Sequence, residues 1–231
     1  MTKRLTNKFI FVAKIFVIVV FVCSVILACF VKCTPKNIVS AKYYLVYASK
    51  SKNMALTKNI ADEIEKRGGA GNIYVAGEIK FVIVSVYVSF EDSKQVLNNI
   101  QKEYGDCGIV ELVCNRRTKL KGSQYKYVQN YCKLVEKLCD FLCECSINYD
   151  LNKTTISAIA KKIINYRQNI LYYANDESVA SFEIVKSSSA LIVEYIDKFY
   201  SSVFISSAPS VYIKKLAVWC ILELYEMNNL L

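Results

Sequence analysis

A long apolar stretch near the N-terminus is the feature that most restricts how this 231-residue chain can fold. Residues 15–31 carry no charged side chain, and the apolar character extends back to residue 9 with Lys14 as the one interruption. About 20 residues of α-helix, rising ~1.5 Å each, span the ~30 Å hydrocarbon core of a bilayer. The sequence therefore predicts one transmembrane helix over residues 9–31, and this segment is not expected to contribute to a globular core.

Basic side chains surround this apolar stretch. Residues 1–42 carry seven Lys or Arg and no Asp or Glu, whereas residues 43–115 carry eight basic and nine acidic side chains. Most of the formal net charge of +10 therefore belongs to the membrane segment rather than to a nucleic-acid surface. Four basic residues precede residue 15 and two closely follow residue 31. The positive-inside rule then predicts a cytoplasmic N-terminus and extracytoplasmic C-terminal domains.

Two other interpretations of the apolar stretch exist. It could be a cleaved signal peptide, although it is longer than the apolar part of a usual signal peptide. It could also be a lipoprotein signal, because Ile26-Leu27-Ala28-Cys29 loosely resembles a bacterial lipobox. The apolar run continues through Phe30 and Val31, beyond that cysteine. We therefore predict an uncleaved anchor in the cell membrane, with a lipoprotein anchored at Cys29 as the alternative.

The residue types that are present argue against catalysis. The chain contains no histidine, which excludes Ser-His-Asp hydrolases and HExxH zinc enzymes. Cys132, Cys139 and Cys143 are spaced by seven and four residues, which is typical of a core stripe on one helix face. Cys143 and Cys145 have no second cysteine pair at a matching spacing, which argues against a zinc site. We predict no catalytic residues, no metal and no cofactor, and hence a protein that is not an enzyme.

The glycines divide the rest of the chain into two zones. All seven lie between Gly68 and Gly122, so glycine turns are confined to the middle of the chain. Residues 41–115 alternate strand-like and helix-like patterns in the order β-α-β-β-α-β, with Asp92 or Ser93 as the cap of the second helix. This order predicts a four-stranded sheet with two helices on one face, the split βαβ arrangement of ferredoxin-like and RRM folds. We expect the second sheet face to be open.

This middle zone, residues 41–115, resembles the SPOR (sporulation-related repeat) domain. The resemblance lies in three segments that follow one another in the expected order. They are Tyr43-Tyr44-Leu45-Val46-Tyr47-Ala48-Ser49, then Asn53-Met54-Ala55, then Val84-Ser85-Val86-Tyr87-Val88-Ser89-Phe90-Glu91-Asp92-Ser93. The topology, the size and the position after a single N-terminal anchor also agree with this family.

The resemblance implies binding to peptidoglycan, on glycan strands stripped of stem peptides at division or sporulation septa. It places the strand on the open sheet face, where aromatic rings stack on pyranose rings and hydroxyls bond the sugar substituents. The glycan-binding residues implied in this sequence are Tyr43, Leu45, Tyr47, Phe81, Ile83, Ser85 and Tyr87, with the opposite set of first-strand side chains if the register of that strand is shifted. RNA binding, which an RRM-like sheet would also allow, is not expected, because the zone has an acidic excess and lacks the RNP1 order Lys/Arg-Gly-Phe/Tyr.

The last zone, residues 123–231, contains no glycine and predicts four helices. They cover about 123–147, 154–173 and 179–203, with Thr154 or Thr155 as the cap of the second helix, and the fourth begins near Pro209. Short loops between them predict an antiparallel up-down bundle. Residues 116–122, four of which are basic, form the connecting linker. The predicted organisation is therefore an N-terminus and membrane helix over 1–34, a SPOR-like domain over 41–115, the linker, and the bundle.

The sequence as a whole predicts an α+β, single-pass membrane protein that binds peptidoglycan glycan strands without catalysis. A septal or sporulation protein is the expected partner of the bundle, and no nucleic-acid partner is expected. The alternative is a protein-interaction scaffold of an envelope complex, in which the SPOR-like module no longer binds glycan. A wall hydrolase would need a metal or carboxylate site, and the sequence supplies no motif for one.

Overall fold

The computed structural model describes residues 38–116, 122–175 and 183–230. The predicted membrane helix over 9–31 and most of the predicted linker lie outside these residues. Among the helices within the described ranges, none combines the length and the apolar character that crossing a bilayer requires.

Four strands and two helices form the first half of the described chain. The strands are β1 (Ile38–Ser51), β2 (Asn72–Ala76), β3 (Ile79–Tyr87) and β4 (Gly108–Arg116), and the helices are α1 (Met54–Lys66) and α2 (Phe90–Ile100). The sheet order is β2-β3-β1-β4, and each neighbouring pair is antiparallel. This is the predicted split βαβ arrangement, with β1 and β3 in the centre.

Local capping explains where the two helices of this half begin. Asn53 precedes α1, and its side-chain oxygen accepts hydrogen bonds from the backbone N–H groups of Ala55 and Leu56. Ser89 caps α2 by accepting from the Asp92 N–H. The prediction of Asp92 or Ser93 as this cap is wrong, because α2 already begins at Phe90 and both residues lie in its first turn.

The register between β1 and β3 is interrupted twice in the middle of the sheet, at Val84 of β3 and at Ala48 of β1. Tyr47 lies opposite Ile83, but Val46 lies opposite Ser85, so Val84 is passed over. Such a β-bulge exchanges the two faces of the strand beyond it. After the bulge, Val86 lies opposite Leu45 and shares its face, whereas Ser85 and Tyr87 belong to the other face.

Within the described residues, four helices follow the sheet, as predicted. They are α3 (Gly122–Asp150), α4 (Ile156–Asn175), α5 (Glu183–Val203) and α6 (Pro209–Leu230). Helix α3 packs against α4 and α6, and α5 packs against α4 and α6, which gives a four-helix bundle. Two predicted start signals are confirmed, since Thr155 accepts a hydrogen bond from the Ala158 N–H before α4, and Pro209 is the first residue of α6.

The bundle covers the sheet face opposite to α1 and α2, so the prediction of an open face is wrong. Helix α6 contacts β3 and β4, the two neighbours of β1, as well as β2. Buried side chains of the sheet and of all four bundle helices belong to one continuous hydrophobic core. The reason is the composition of α6, which has apolar residues around most of its circumference and must therefore be enclosed on several sides. The described residues from Ile38 onwards accordingly belong to one compact unit.

Candidate functional site

Three of the seven predicted glycan-binding residues lie in the core beneath the bundle. Tyr43, Leu45 and Ile83 have 0% of their surface exposed and belong to the cluster that includes the helices. A glycan strand reaches these side chains only if α6 leaves the sheet. Whether they contact glycan at any stage stays a prediction, but in this structure their surface packs against helices.

The Tyr43 hydroxyl joins the sheet to α3. It donates a hydrogen bond to Asp140 Oδ1 at 3.1 Å. Burial raises the pKa of Tyr43 well above its ordinary value, with further contributions from nearby Cys139 and Asp140, so the phenol stays protonated and remains a donor. Partial desolvation raises the pKa of the Asp140 carboxyl, while the bond from Tyr43 lowers it. A buried tyrosine with its hydroxyl satisfied in this way stabilises the closed arrangement.

Ser85 and Tyr87 are also buried, but the bulge at Val84 separates them from the predicted surface. They pair with Val46 and Tyr44, on the side where Tyr44 contacts Phe90 of α2 at 5.2 Å between ring centroids. Burial raises the pKa of Tyr87. Placing Phe81, Ile83, Ser85 and Tyr87 on one face requires regular alternation along β3, and a bulge leaves no clear mark in a run of β-branched residues.

Tyr47 and Phe81, the remaining two predicted residues, are half-buried at the far end of the same face. Their ring centroids are 5.0 Å apart in an edge-to-face contact. Tyr74 of β2 continues the line, with its ring stacked on Phe81 at a centroid distance of 6.1 Å. Tyr47, Phe81 and Tyr74 therefore form an aromatic row across β1, β3 and β2, each ring partly accessible.

Sequence reasoning missed Tyr74, although a signal for it exists. Gly77 and Glu78 form a two-residue turn that places Ala76 opposite Ile79, and hence Tyr74 opposite Phe81. Gly77 has a φ of +61°, a conformation that glycine adopts without strain. A β-hairpin predicted from this turn places Tyr74 directly opposite Phe81.

A second glycine makes room for the row. A Cβ atom at Gly108 would lie 2.5 Å from the Tyr47 hydroxyl oxygen and 2.8 Å from Cζ. Since β4 pairs with β1 at this point, with Gly108 opposite Tyr47, the Tyr47 ring lies over the bare backbone of β4. Glycine here allows a close approach that a side chain would obstruct.

The surroundings of the aromatic row are mixed in character. Burial raises the pKa of Tyr74, and Tyr225 and Glu226 at the C-terminal end of α6 add to the shift. Val75 and Ile79 are exposed on the adjoining hairpin. Lys50, which pairs with Phe81 in the register, forms an ion pair with Asp106 at 3.4 Å. Rings, hydroxyls and charged groups together suit a ligand with both apolar faces and polar substituents.

The cysteine stripe is a packing feature, as predicted. Cys132, Cys139 and Cys143 are all buried in the shared core, and burial raises the pKa values of Cys139 and Cys143, so they are neutral thiols. Among the residues that the structure describes, no group of three or more His, Cys, Asp or Glu side chains could hold a metal ion.

Comparisons with known proteins add one weak likeness. No protein-family model matches the chain, and no curated protein matches it. Among solved structures, the solution structure of the peptidoglycan-binding domain of the B. subtilis cell wall lytic enzyme CwlC aligns at 21% identity. The alignment covers 33% of this chain and 96% of that domain, with a TM-score of 0.27. A likeness at this TM-score shows neither a shared fold nor a shared function.

Proposed function

We propose that this chain is a non-catalytic binding protein of the bacterial cell envelope, anchored in the cell membrane by residues 9–31. In this proposal it binds peptidoglycan glycan strands through the aromatic row, at a septum formed during division or sporulation. The bundle both covers the sheet and offers its outer surface to a protein partner. The resemblance of residues 41–115 to SPOR domains supports the ligand class.

The aromatic row is the observation that carries this proposal. Tyr43, Leu45 and Ile83 on the same face pack in the core shared with the helices, whereas Tyr47, Phe81 and Tyr74 remain partly accessible. Aromatic faces stack on the C–H faces of pyranose rings, and tyrosine hydroxyls donate to sugar oxygens. The row extends over three rings, with centroid spacings of 5.0 and 6.1 Å. The accessible row thus provides a narrower version of the binding surface that the resemblance implies.

The covered face favours a second candidate, a protein-interaction scaffold without glycan affinity. The surface that the resemblance gives to glycan is occupied by α6, and the exposed Val75 and Ile79 next to the row are aliphatic. Aliphatic neighbours suit a protein partner better than a sugar. The two candidate functions assign different ligands, glycan or protein, to the same aromatic row. One experiment can therefore distinguish them.

The deciding experiment is co-sedimentation of the detergent-solubilised full chain with purified sacculi, before and after amidase treatment removes stem peptides. The full chain is needed because a 41–115 fragment would expose the core that the bundle covers. We expect binding that increases on stripped sacculi and decreases about ten-fold in Phe81→Ala and in Tyr74→Ala, since ring stacking contributes about 1–1.5 kcal/mol. Tyr172→Ala, which removes an exposed ring on α4, is the matched control and should bind like the wild type.

Absence of binding to both kinds of sacculi by a folded full chain would rule out the glycan proposal and leave the scaffold. Equal binding by the wild type and the two row variants would show that the glycan site, if present, lies elsewhere on the chain.

A further inference from the structure

A lysine lies on the same sheet face as the aromatic row. Lys50 of β1 is directly opposite Phe81 of β3, and Phe81 is in turn directly opposite Tyr74 of β2. Directly opposite residues of antiparallel strands project from the same face, with Cα atoms about 4.5–5.5 Å apart. Lys50 therefore continues the line of Tyr74 and Phe81 across a third strand.

The bulge at Ala48 is what gives Tyr47 and Lys50 a common face. The two residues are three positions apart, and in a regular strand they would project from opposite faces. Tyr47 and Ser49 lie opposite consecutive residues of β3, so Ala48 is an extra residue of β1. Ala48 packs on the other face of the sheet, in a cluster with residues of α1. The irregular register thus adds a cation to the aromatic row.

The ammonium group of Lys50 is accessible to a ligand. Its Nζ lies 3.4 Å from Asp106 Oδ1, and the two side chains are 46% and 61% exposed. An ion pair as exposed as this one contributes little to the stability of a fold. A lysine ammonium has three N–H donors, so it can bind a second carboxylate while Asp106 holds it in position.

The ligand class of the proposed function differs at one chemical group before and after amidase action. In an intact strand, the lactyl carboxyl of N-acetylmuramic acid forms an amide with the stem peptide. Hydrolysis of that amide leaves a free carboxylate beside the pyranose ring. Aromatic rings stack on the pyranose face in either strand, whereas an ammonium group binds a carboxylate more strongly than a neutral amide. The rings therefore recognise sugar, and a cation next to them distinguishes the stripped strand.

We propose that Lys50 binds the lactyl carboxylate of a stripped glycan strand whose sugar rings stack on Phe81 and Tyr74. This inference rests on the glycan-binding part of the proposed function and adds the residue that determines the preference for stripped strands. Asp106 acts as a positioning residue for the ammonium group. Phosphate of an anionic wall polymer is another source of negative charge, and the experiment distinguishes the two.

The test is co-sedimentation of the detergent-solubilised full chain with three preparations of sacculi. They are intact, amidase-treated, and amidase-treated with the carboxylates then converted to amides by carbodiimide and ammonia. We expect Lys50→Gln to weaken binding to stripped sacculi about three-fold and to leave binding to intact sacculi unchanged. The wild type should bind the amidated preparation as weakly as Lys50→Gln binds the stripped one.

Two further variants separate a specific contact from a change in net charge. Lys50→Arg keeps the positive charge and should bind stripped sacculi nearly as well as the wild type. Lys58→Gln removes the same charge from an exposed position of α1, which packs on the other sheet face, and should bind like the wild type. Circular dichroism confirms that each variant is folded.

Each outcome decides the inference. Equal binding of the wild type and Lys50→Gln to stripped sacculi overturns it, while glycan binding by the row stands. Wild-type binding that is unchanged by amidation assigns the negative charge to phosphate and also overturns it. An equal loss in Lys50→Gln and Lys58→Gln shows an effect of net charge alone, with the same consequence. Absence of wild-type binding to all three preparations overturns the glycan function and this inference together.

Discussion

The two ends of one sheet face differ more than their sequences suggest. At one end, Tyr43, Leu45 and Ile83 are wholly enclosed by the bundle, and at the other Tyr47, Phe81 and Tyr74 are partly accessible. Both ends consist of tyrosines and apolar residues, on β1 and β3 at the enclosed end and on β1, β3 and β2 at the accessible end. The comparison teaches that residue type alone does not make a binding surface, because an aromatic strand serves equally well as core when a helix covers it. The following predictions test where the boundary between the two ends lies.

The largest effect is expected from a charge at the enclosed end. Leu45→Asp places a carboxylate in the shared core without a partner, at a cost of about 4 kcal/mol or more. Because sheet and bundle share that core, both should lose structure together. Urea unfolding of the full chain, followed by circular dichroism and by Trp219 fluorescence, should give coincident transitions shifted to much lower urea.

The matched control is Val75→Asp at an exposed position of β2, which should change stability by less than about 0.5 kcal/mol. Loss of the sheet signal alone in Leu45→Asp, with the helices unchanged, would contradict a common core.

Substitutions at the accessible end should weaken glycan binding more than they lower the stability of the chain. Phe81→Ala removes the ring that contacts both Tyr47 and Tyr74. We expect a stability loss of about 1–2 kcal/mol, below that of a fully buried phenylalanine, together with about ten-fold weaker binding to stripped sacculi. Thermal unfolding and co-sedimentation measure the two effects. A large stability loss with unchanged binding would show that Phe81 is a core residue, like those at the enclosed end, and not a binding residue.

Removing the hydroxyl of Tyr43 tests the hydrogen bond between the sheet and α3. Tyr43→Phe removes the donor to Asp140 and should cost about 1 kcal/mol. The Asp140 carboxyl has a raised pKa in the folded state, so stability falls as pH rises from its unfolded pKa through its folded pKa. Because the Tyr43 bond lowers that pKa, the fall should extend to higher pH in the variant. Carboxyl chemical shifts against pH provide the measurement, and an unchanged Asp140 titration would contradict the bond.

The smallest effect is expected from Gly108→Ala. The added methyl group would meet the flexible end of the Tyr47 side chain, 2.5 Å from its hydroxyl oxygen. Tyr47 should tilt out of the aromatic row, weakening glycan binding about two- to three-fold at little cost in stability. Gly105→Ala, where a Cβ meets nothing within 4 Å, is the control. Binding equal to the wild type would show that the position of the Tyr47 ring is unimportant.

Much of the fold followed from local signals. The order of strands and helices, the helix start at Pro209 and the Thr155 cap rest on interactions between residues near one another in sequence. The site was predictable in part, since alternation along β1 and β3 placed Tyr47 and Phe81 on one face. Tyr74 could have been added from the two-residue turn at Gly77.

The amino-acid sequence by itself determined the order of strands and helices and the split βαβ arrangement. It also determined, through alternation along β1, that Tyr43 and Tyr47 lie on the same face of that strand. The tertiary structure alone decided that α6 covers this face, that the bulge at Val84 moves Ser85 and Tyr87 away from it, and that one end stays accessible. The physical reason is that periodicity reports which side of an element is apolar but not what packs against it. An apolar face can be covered by a helix of the same chain, by a partner or by a sugar. Only the packed structure shows which of these covers it.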